Sequence, residues 1–496
     1  MYRMMSALPA LSALVIAFGI GSAGAQEGGN SLEMDLALAA GLKAAFTCSA
    51  TFNAGQSQTE IAENELDGIY TDAEEGFNAV GEAKIDLTER RVSVAWSDTL
   101  PPRYAVWRKG FGCTQLPIGA EIGTAAYLPD FTEWPEVGST DASSAIGSDV
   151  KLTDKSSFYD GLDAPVSFAF DSYTYGDGTR TSAVVVLAHG EVVAERYDRG
   201  IDATTPQRTW SVAKSISATI IGAANYAGLF DYKGRTALKA WETPGDPRQG
   251  ITTENLLHMS SGLDSGARGN RTDRIYFGGA RMVDRAVSSS LEAAPGWRWK
   301  YANNDTLLAM RALRERLDDD PLYHRFPYES LLWKIGAYRT TLETDWNGDF
   351  ISSSQVWTTA RDLARLGQLY LQDGVWGGER ILPEGWRHYV STPAPVQPDR
   401  SDRLGYGAQF WLLNNSDGVP ADTFAALGNR GQYVIIVPSR DVVIVRRGYD
   451  VSGGNPFNFA GFTRDVLAAL ETAEAAKLQA QIRASAEENG ELETAD

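Results

Sequence analysis

Ser211-Val212-Ala213-Lys214 sets a hydroxyl and an amine three residues apart at the start of a run, Thr209 to Leu229, that is dense in Ala, Ser, Ile and Gly. On a helix that spacing stacks the two side chains on one face. A serine hydroxyl is a weak nucleophile until a neighbouring base takes its proton. A lysine is such a base only when its pKa falls from about 10.4 toward neutrality, and burial drives the fall by penalising the ammonium. The positive end of the helix dipole pushes the same way. The run has no charged residue other than Lys214, and a helix without a polar face is normally buried on all sides. The pattern recurs at Ser148-Asp149-Val150-Lys151, and chance alone yields roughly one or two matches in a chain this long. That copy sits in polar sequence and reads as a solvated turn, whereas the second opens a helix predicted to be buried.

A second element is Tyr301-Ala302-Asn303, in a turn-like stretch just before a helical pattern at Asp305 to Arg316. A phenol relays protons between a serine oxygen, a lysine and a leaving group, and an amide both donates to and accepts from such a network. Read structurally, the same residues are a surface aromatic and an Asn near a helix start. Other chemistries lack their residues. No Gly-x-Ser-x-Gly and no His-Glu-x-x-His occurs. The one Gly-x-Gly-x-x-Gly, Gly19 to Gly24, has no strand before it or helix after it. His189, His258, His324 and His388 are scattered at wide intervals and read as structural. No metal site and no cofactor is expected.

The elements that must position these groups follow from the hydrophobic pattern. Leu32 to Phe46 has helical spacing, and Ala83 to Trp96 alternates as strands do. Ser182 to Leu187, a turn at His189-Gly190 and Val192 to Tyr197 read as a hairpin. Helices are predicted at Thr358 to Leu371 and Thr463 to Ala486, and strands at Tyr433 to Val437 and Val442 to Arg446. This order fits an α+β fold, an antiparallel sheet flanked by helices plus a helical cluster, with a small N-terminal α+β domain. The expected division is 1–25, 26–145, 146–472 and 473–496: a signal peptide, the small domain, the main domain, and a helix end with a polar tail.

Residues 1–25 carry Arg3, an apolar run from Leu8 to Ile20, and Ala23-Gly24-Ala25 as a small-residue cleavage site. A periplasmic or secreted protein is therefore expected, with an uncleaved anchor as the alternative. The only cysteines, Cys48 and Cys113, are an even count, which in an exported chain favours a disulfide over two thiols. Among 496 residues, 64 are Asp or Glu and 45 are Lys or Arg, a formal charge of −19. That excess works against nucleic acid and anionic lipid as partners, since both need a positive field. No later stretch reads as a membrane span, and oligomeric state has no signal in the sequence.

Taken together, Ser211 to Ser215, Tyr301 to Asn303, Ile251-Thr252 through Leu263, Thr359 to Gly367, Gly374-Val375-Trp376 and Ile381 to Trp386 resemble the serine β-lactamase and penicillin-binding-protein superfamily. The likeness is to the branch of class C β-lactamases, D-alanyl-D-alanine carboxypeptidases, related esterases and 6-aminohexanoate dimer hydrolases, and it runs from about Ser182 to Gly448. It implies a β-lactamase/transpeptidase-like fold and an acyl-enzyme on Ser211, with Lys214 as general base and Tyr301 exchanging protons with the leaving group. Asn303 would position Lys214 and the substrate amide. The family's third motif, a cation followed two residues later by Gly, falls by order on Ala426-Leu427-Gly428. Its cation is missing, although Arg430 is close in sequence. The oxyanion hole implied is the backbone N–H of Ser211 and of Asn429, the latter just after Gly428. The block Gly428 to Tyr433 looks more like the dimer-hydrolase and esterase side, so a small amide or ester is the expected substrate. Gly405-Tyr406-Gly407, Phe410 and Trp411 are read as core packing or as pocket lining. A non-catalytic protein binding peptidoglycan fragments or a protein through the same cleft is the competing reading.

Overall fold

The computed structural model describes residues 32–69, 71–130, 160–266, 272–399 and 404–488. The signal-peptide expectation and the Ser148–Lys151 copy lie outside these residues. Near the N-terminus, helix α1 (Leu32–Ala54) packs its Ala-rich face on an antiparallel sheet of β1 (Lys84–Asp86), β2 (Arg91–Val94), β3 (Arg103–Arg108) and β4 (Gly112–Gln115). Cys48 of α1 and Cys113 of β4 form a disulfide between these two layers.

The hairpin appears as β5 (Thr181–Ala188) and β6 (Glu191–Tyr197), turning at His189-Gly190. Next come α2 (Val212–Tyr226), α3 (Asn303–Leu317) and α4 (Ala360–Leu371). Five further strands follow: β7 (Gly405–Tyr406), β8 (Trp411–Leu412), β9 (Phe424–Gly428), β10 (Gln432–Val437) and β11 (Val442–Gly448). They join the hairpin in one seven-stranded antiparallel sheet, ordered β7-β8-β9-β10-β11-β5-β6, and α5 (Phe459–Glu488) closes the described chain.

Strand side chains alternate between the two faces of a sheet, and here both faces are dry. Ala183, Val185 and Leu187 face the core that holds α2, α3 and α4, together with Val443 and Val445. Val184 and Val186, with Ile435 and Ile444, face a second core that holds Phe462, Val466 and Leu470 of α5. The central strands are therefore continuous apolar runs. From Val212 to Ala224, α2 is buried at every position, as its lack of a polar face requires.

Buried polar contacts join the N-terminal layers to the main sheet's side of the molecule. Glu343 accepts hydrogen bonds from Ser49 Oγ (2.6 Å), Asn53 Nδ2 (2.8 Å) and the Cys113 N–H (3.1 Å). Arg103 donates to the carbonyls of Ala37 (2.7 Å), Leu116 (3.1 Å) and Phe277 (3.2 Å). Removing the disulfide releases a closed loop of 65 residues in the unfolded chain. Replacing both cysteines by Ala is expected to lower unfolding free energy by roughly 2–5 kcal/mol, read from denaturant titrations extrapolated to water with m fitted separately for each form.

Candidate active site

Ser211 is the N-cap residue of α2, so the first turn of that helix carries Lys214 directly beside it. Lys214 Nζ lies 3.0 Å from Ser211 Oγ, 2.7 Å from Asn303 Oδ1 and 2.7 Å from the carbonyl oxygen of Ser353. Asn303 stands at the start of α3, and its own Nδ2 donates to Thr272 Oγ1 at 3.1 Å, which orients the amide oxygen toward the lysine. Tyr301 lies across the site. Its ring centroid is 5.0 Å from Lys214 Nζ.

Burial sets the protonation of these groups. Lys214 is almost wholly removed from water, and desolvation of the ammonium pulls its pKa down to about 7. The same desolvation pushes the Tyr301 phenol above its usual range, and the nearby Ser211 hydroxyl only partly offsets this. Near neutral pH the amine thus titrates while the phenol keeps its proton. A neutral amine has two N–H bonds and one lone pair. Asn303 Oδ1 and the Ser353 carbonyl can only accept, so they take the two N–H bonds and leave the lone pair for the Ser211 hydroxyl.

The backbone entering α2 is under strain. Trp210 has φ +49°, a left-handed conformation that costs a bulky residue about 1–3 kcal/mol and persists only where packing enforces it. That packing comes from Leu42, Phe46, Ile69 and Phe77, with the Phe46 and Trp210 rings edge to face at 5.7 Å. Opposite Ser211 runs the end of β9. A Cβ added to Gly428 would stand 2.4 Å from the Thr209 carbonyl and 3.2 Å from the Ser211 nitrogen, so only glycine lets β9 come this close. Ser211, Tyr301 and the Gly428–Gly431 turn line a cleft whose far wall is drawn from segment 450–456 with Tyr433 and Phe459. That segment is tethered by Asp450, which accepts two bonds from the buried Arg446 guanidinium at 2.7 and 2.8 Å.

Ser211, Lys214, Tyr301, Asn303, Gly428 and Asn429 are thus brought together around one cleft. Arg430 borders the same cleft, but its guanidinium is bonded to backbone carbonyls of Asn64, Asp67, Tyr449 and Asp450, so it does not replace the missing third-motif cation. Tyr406, Phe410 and Trp411 are core residues, and Trp411 and Tyr406 back the Tyr301 ring at 5.5 and 6.2 Å. None of the four histidines lines the cleft. His258 packs on Tyr389, and burial lowers its pKa to about 4. Ser353 was not legible in the sequence, because it contributes a main-chain oxygen and any residue type would supply one. Thr272 carries no pattern either.

Against known proteins, the sequence profile of the family described as Beta-lactamase matches residues 169–447, more than half of the chain. A 6-aminohexanoate-dimer hydrolase of Paenarthrobacter ureafaciens is 26% identical over 301 residues, covering 54% of this chain and 72% of that one. Two solved structures share the fold. One is a Bacillus anthracis chain with a provisional 6-aminohexanoate-dimer hydrolase assignment, at TM-score 0.52, 21% identity and coverage of 67% and 88% of the two chains. The other is a penicillin-binding protein homologue from Caulobacter crescentus, at TM-score 0.50, 15% identity and coverage of 63% and 98%.

The dry setting of Lys214 makes a physical prediction that needs no substrate. Selective labelling of lysine side chains for NMR should show one amine titrating near pH 7 and absent from Lys214→Met. A Lys214 resonance that stays charged to pH 10 would remove the desolvation argument.

Proposed function

The chain belongs to the beta-lactamase family, and from that membership we propose that it is an exported serine hydrolase that cleaves a small amide or ester through an acyl-enzyme on Ser211. The observation that carries this reading is the lysine's three-oxygen setting, in which two oxygens that only accept leave the lone pair of the neutral amine for Ser211 Oγ.

In the first half-reaction Ser211 Oγ bonds to the substrate carbonyl carbon as its proton moves to Lys214 Nζ. The carbonyl oxygen becomes an oxyanion held by the backbone N–H groups of Ser211 and Asn429. Amides aimed at developing charge in a site shielded from water need no side chain of their own. The tetrahedral carbon then expels its alkoxide or amine, which takes the Tyr301 proton. Lys214 returns a proton to Tyr301, directly or through Ser211 Oγ. Water repeats the sequence in the second half-reaction, attacking the ester carbon of the acyl-enzyme while Ser211 Oγ leaves and recovers its proton. Asn303 orients Lys214 throughout.

The cleft favours uncharged substrates. Among the described residues its lining contains two side chains of formally charged type, Arg430 and Asp450, and each is committed to protein partners. A carboxylate set against these described residues would lose water without gaining a cation, which costs free energy. Neutral short-chain esters and amides are therefore the preferred class. Export is supported by the composition of residues 1–25 together with the Cys48–Cys113 disulfide. Among the described residues no helix is long and apolar enough to cross a membrane. We assign the chemistry to the unit 146–472, which contains all six site residues.

The competing reading, a binding protein, draws on the missing third-motif cation. Intact-mass analysis after exposure to a fluorophosphonate separates the two. A single adduct is expected on the wild type and on Ser148→Ala, and none on Ser211→Ala; a folded wild type without adduct supports the binder. Hydrolysis of a chromogenic short-chain ester is expected to fall by about 10³-fold or more in Ser211→Ala and in Lys214→Met.

The pH dependence follows from the lysine. The active form carries the neutral amine, so kcat/KM should level off above about pH 7, in line with the lowered pKa of Lys214. Below that it should fall about tenfold per pH unit. A profile flat down to pH 5 would exclude Lys214 as the base.

A further inference from the structure

Arg430 follows Asn429 in the turn between β9 and β10, and its backbone is left-handed at φ +57°. Its side chain is buried and runs away from the cleft. Nη1 donates to the Asn64 carbonyl (2.5 Å), Nη2 to the carbonyls of Asp67 (2.8 Å) and Tyr449 (3.2 Å), and Nε to the Asp450 carbonyl (2.9 Å). Four neutral oxygens thus hold one guanidinium. Two of them, on Asn64 and Asp67, lie at the end of the short helix Ile61–Leu66, where carbonyls lack intrahelical partners and a cation is favoured.

Two more contacts relay the same turn to the same segment through Ser452, and a third closes the turn on itself. Asn429 Nδ2 donates to Ser452 Oγ (3.0 Å), the Ser452 N–H donates to the Gly68 carbonyl (2.7 Å), and Asn429 Oδ1 accepts from the Arg430 N–H (2.9 Å). Glu65 lies between the two anchoring carbonyls in sequence. Its carboxyl is buried, with Oε2 3.8 Å from Arg208 Nε, and its charge also acts on Arg430 and Arg447. Asn64 to Gly68 precede the family match, which begins at residue 169.

We propose that Arg430 is a positioning residue: anchored on the carbonyls of Asn64 and Asp67, it fixes the Asn429 N–H where the oxyanion forms, which makes the segment Asn64–Gly68 a working part of the active site. The inference rests on the reading of Ser211 as the acylated residue and of Asn429 as an oxyanion donor. The reason for a guanidinium here is geometric. A lysine offers one compact charge, whereas the planar fork reaches four carbonyls in fixed directions. Without the anchor, the left-handed backbone at Arg430 keeps only its own N–H bond to Asn429 Oδ1 and the bonds its carbonyl accepts from Gln432 Nε2 and the Asp450 N–H, and the preceding amide loses the precision of its aim.

The test uses the full chain, with Arg430→Lys and Arg430→Gly. Exhaustive fluorophosphonate labelling counts competent sites, and ester hydrolysis is then expressed per labelled site. In Arg430→Lys all sites are expected to label, while kcat per site falls on the order of 10- to 100-fold, short of the loss of a whole oxyanion donor. KM should change little. In Arg430→Gly, where the left-handed backbone is unstrained, added ethylguanidinium should restore part of the rate with saturation. If activity falls only in proportion to labelled protein, with kcat per site unchanged, Arg430 is a structural tie and the inference is wrong. Loss of kcat in Arg430→Lys without guanidinium rescue in a folded Arg430→Gly would also count against it. Should Arg430→Gly not fold, kcat per labelled site in Arg430→Lys decides alone. An unlabelled wild type would overturn the acyl-enzyme reading itself, a result distinct from either of these.

Discussion

An amine carried into a dry interior is the constraint on which the rest of this molecule depends. Among the described residues no carboxylate neutralises Lys214. Its surroundings are the apolar helix α2, the Tyr301 ring and three oxygens, so its charged form is expensive and its neutral form is well hydrogen-bonded. Everything near it serves to keep that space closed. The apolar sequence of α2, the two buried faces of the sheet and the aromatic group of Trp299, Tyr301, Tyr406 and Trp411 exclude water from one side or another. Much of the hydrophobic burial in the main sheet is, in this sense, part of the chemistry.

What was legible in the sequence, and what was not, divides along physical lines. Side-chain periodicity exposes elements, so the hairpin at 181–197, the buried α2 and the strands β10 and β11 could be read within a few residues. Side-chain identity exposes candidate groups, so Ser211, Lys214, Tyr301 and Asn303 were singled out by type and spacing together with the family resemblance, and the structure sets them side by side. Main-chain atoms leave no trace of this kind. The Ser353 carbonyl and the anchoring carbonyls of Asn64 and Asp67 are fixed by tertiary packing, and any residue type would provide them. Side chains that turn from their sequence neighbours are hidden too. Arg430 stands beside the site in sequence, yet its guanidinium points to a helix end more than 350 positions away.

Nor does the pattern of residues say what the N-terminal helix-and-sheet unit does for the rest of the chain. The structure places its side chains at two sensitive places. Phe46 and its apolar neighbours hold the strained Trp210, the residue before Ser211, and segment 64–68 holds the turn that faces it. Buried polar groups do the joining, including Glu343 with its three donors and Arg103 through its bond to the Phe277 carbonyl. Such contacts are costly to break singly, because each separation leaves a desolvated polar group without a partner. Movement of the N-terminal layers relative to the cleft is correspondingly opposed.

The oxygen that Ser353 turns toward Lys214 has a further consequence for how the protein can change. A point mutation at position 353 alters a side chain but cannot delete the carbonyl, and the N–H groups at Ser211 and Asn429 are lost only on substitution by proline. The main-chain part of the polar scaffold around Ser211 and Lys214 is therefore out of reach of most single substitutions. The side chains along the far wall, among them Val451, Asn455, Pro456 and Phe459, have no such protection. Variation can accumulate there and redirect which acyl or leaving group fits, while the proton-transfer machinery persists underneath.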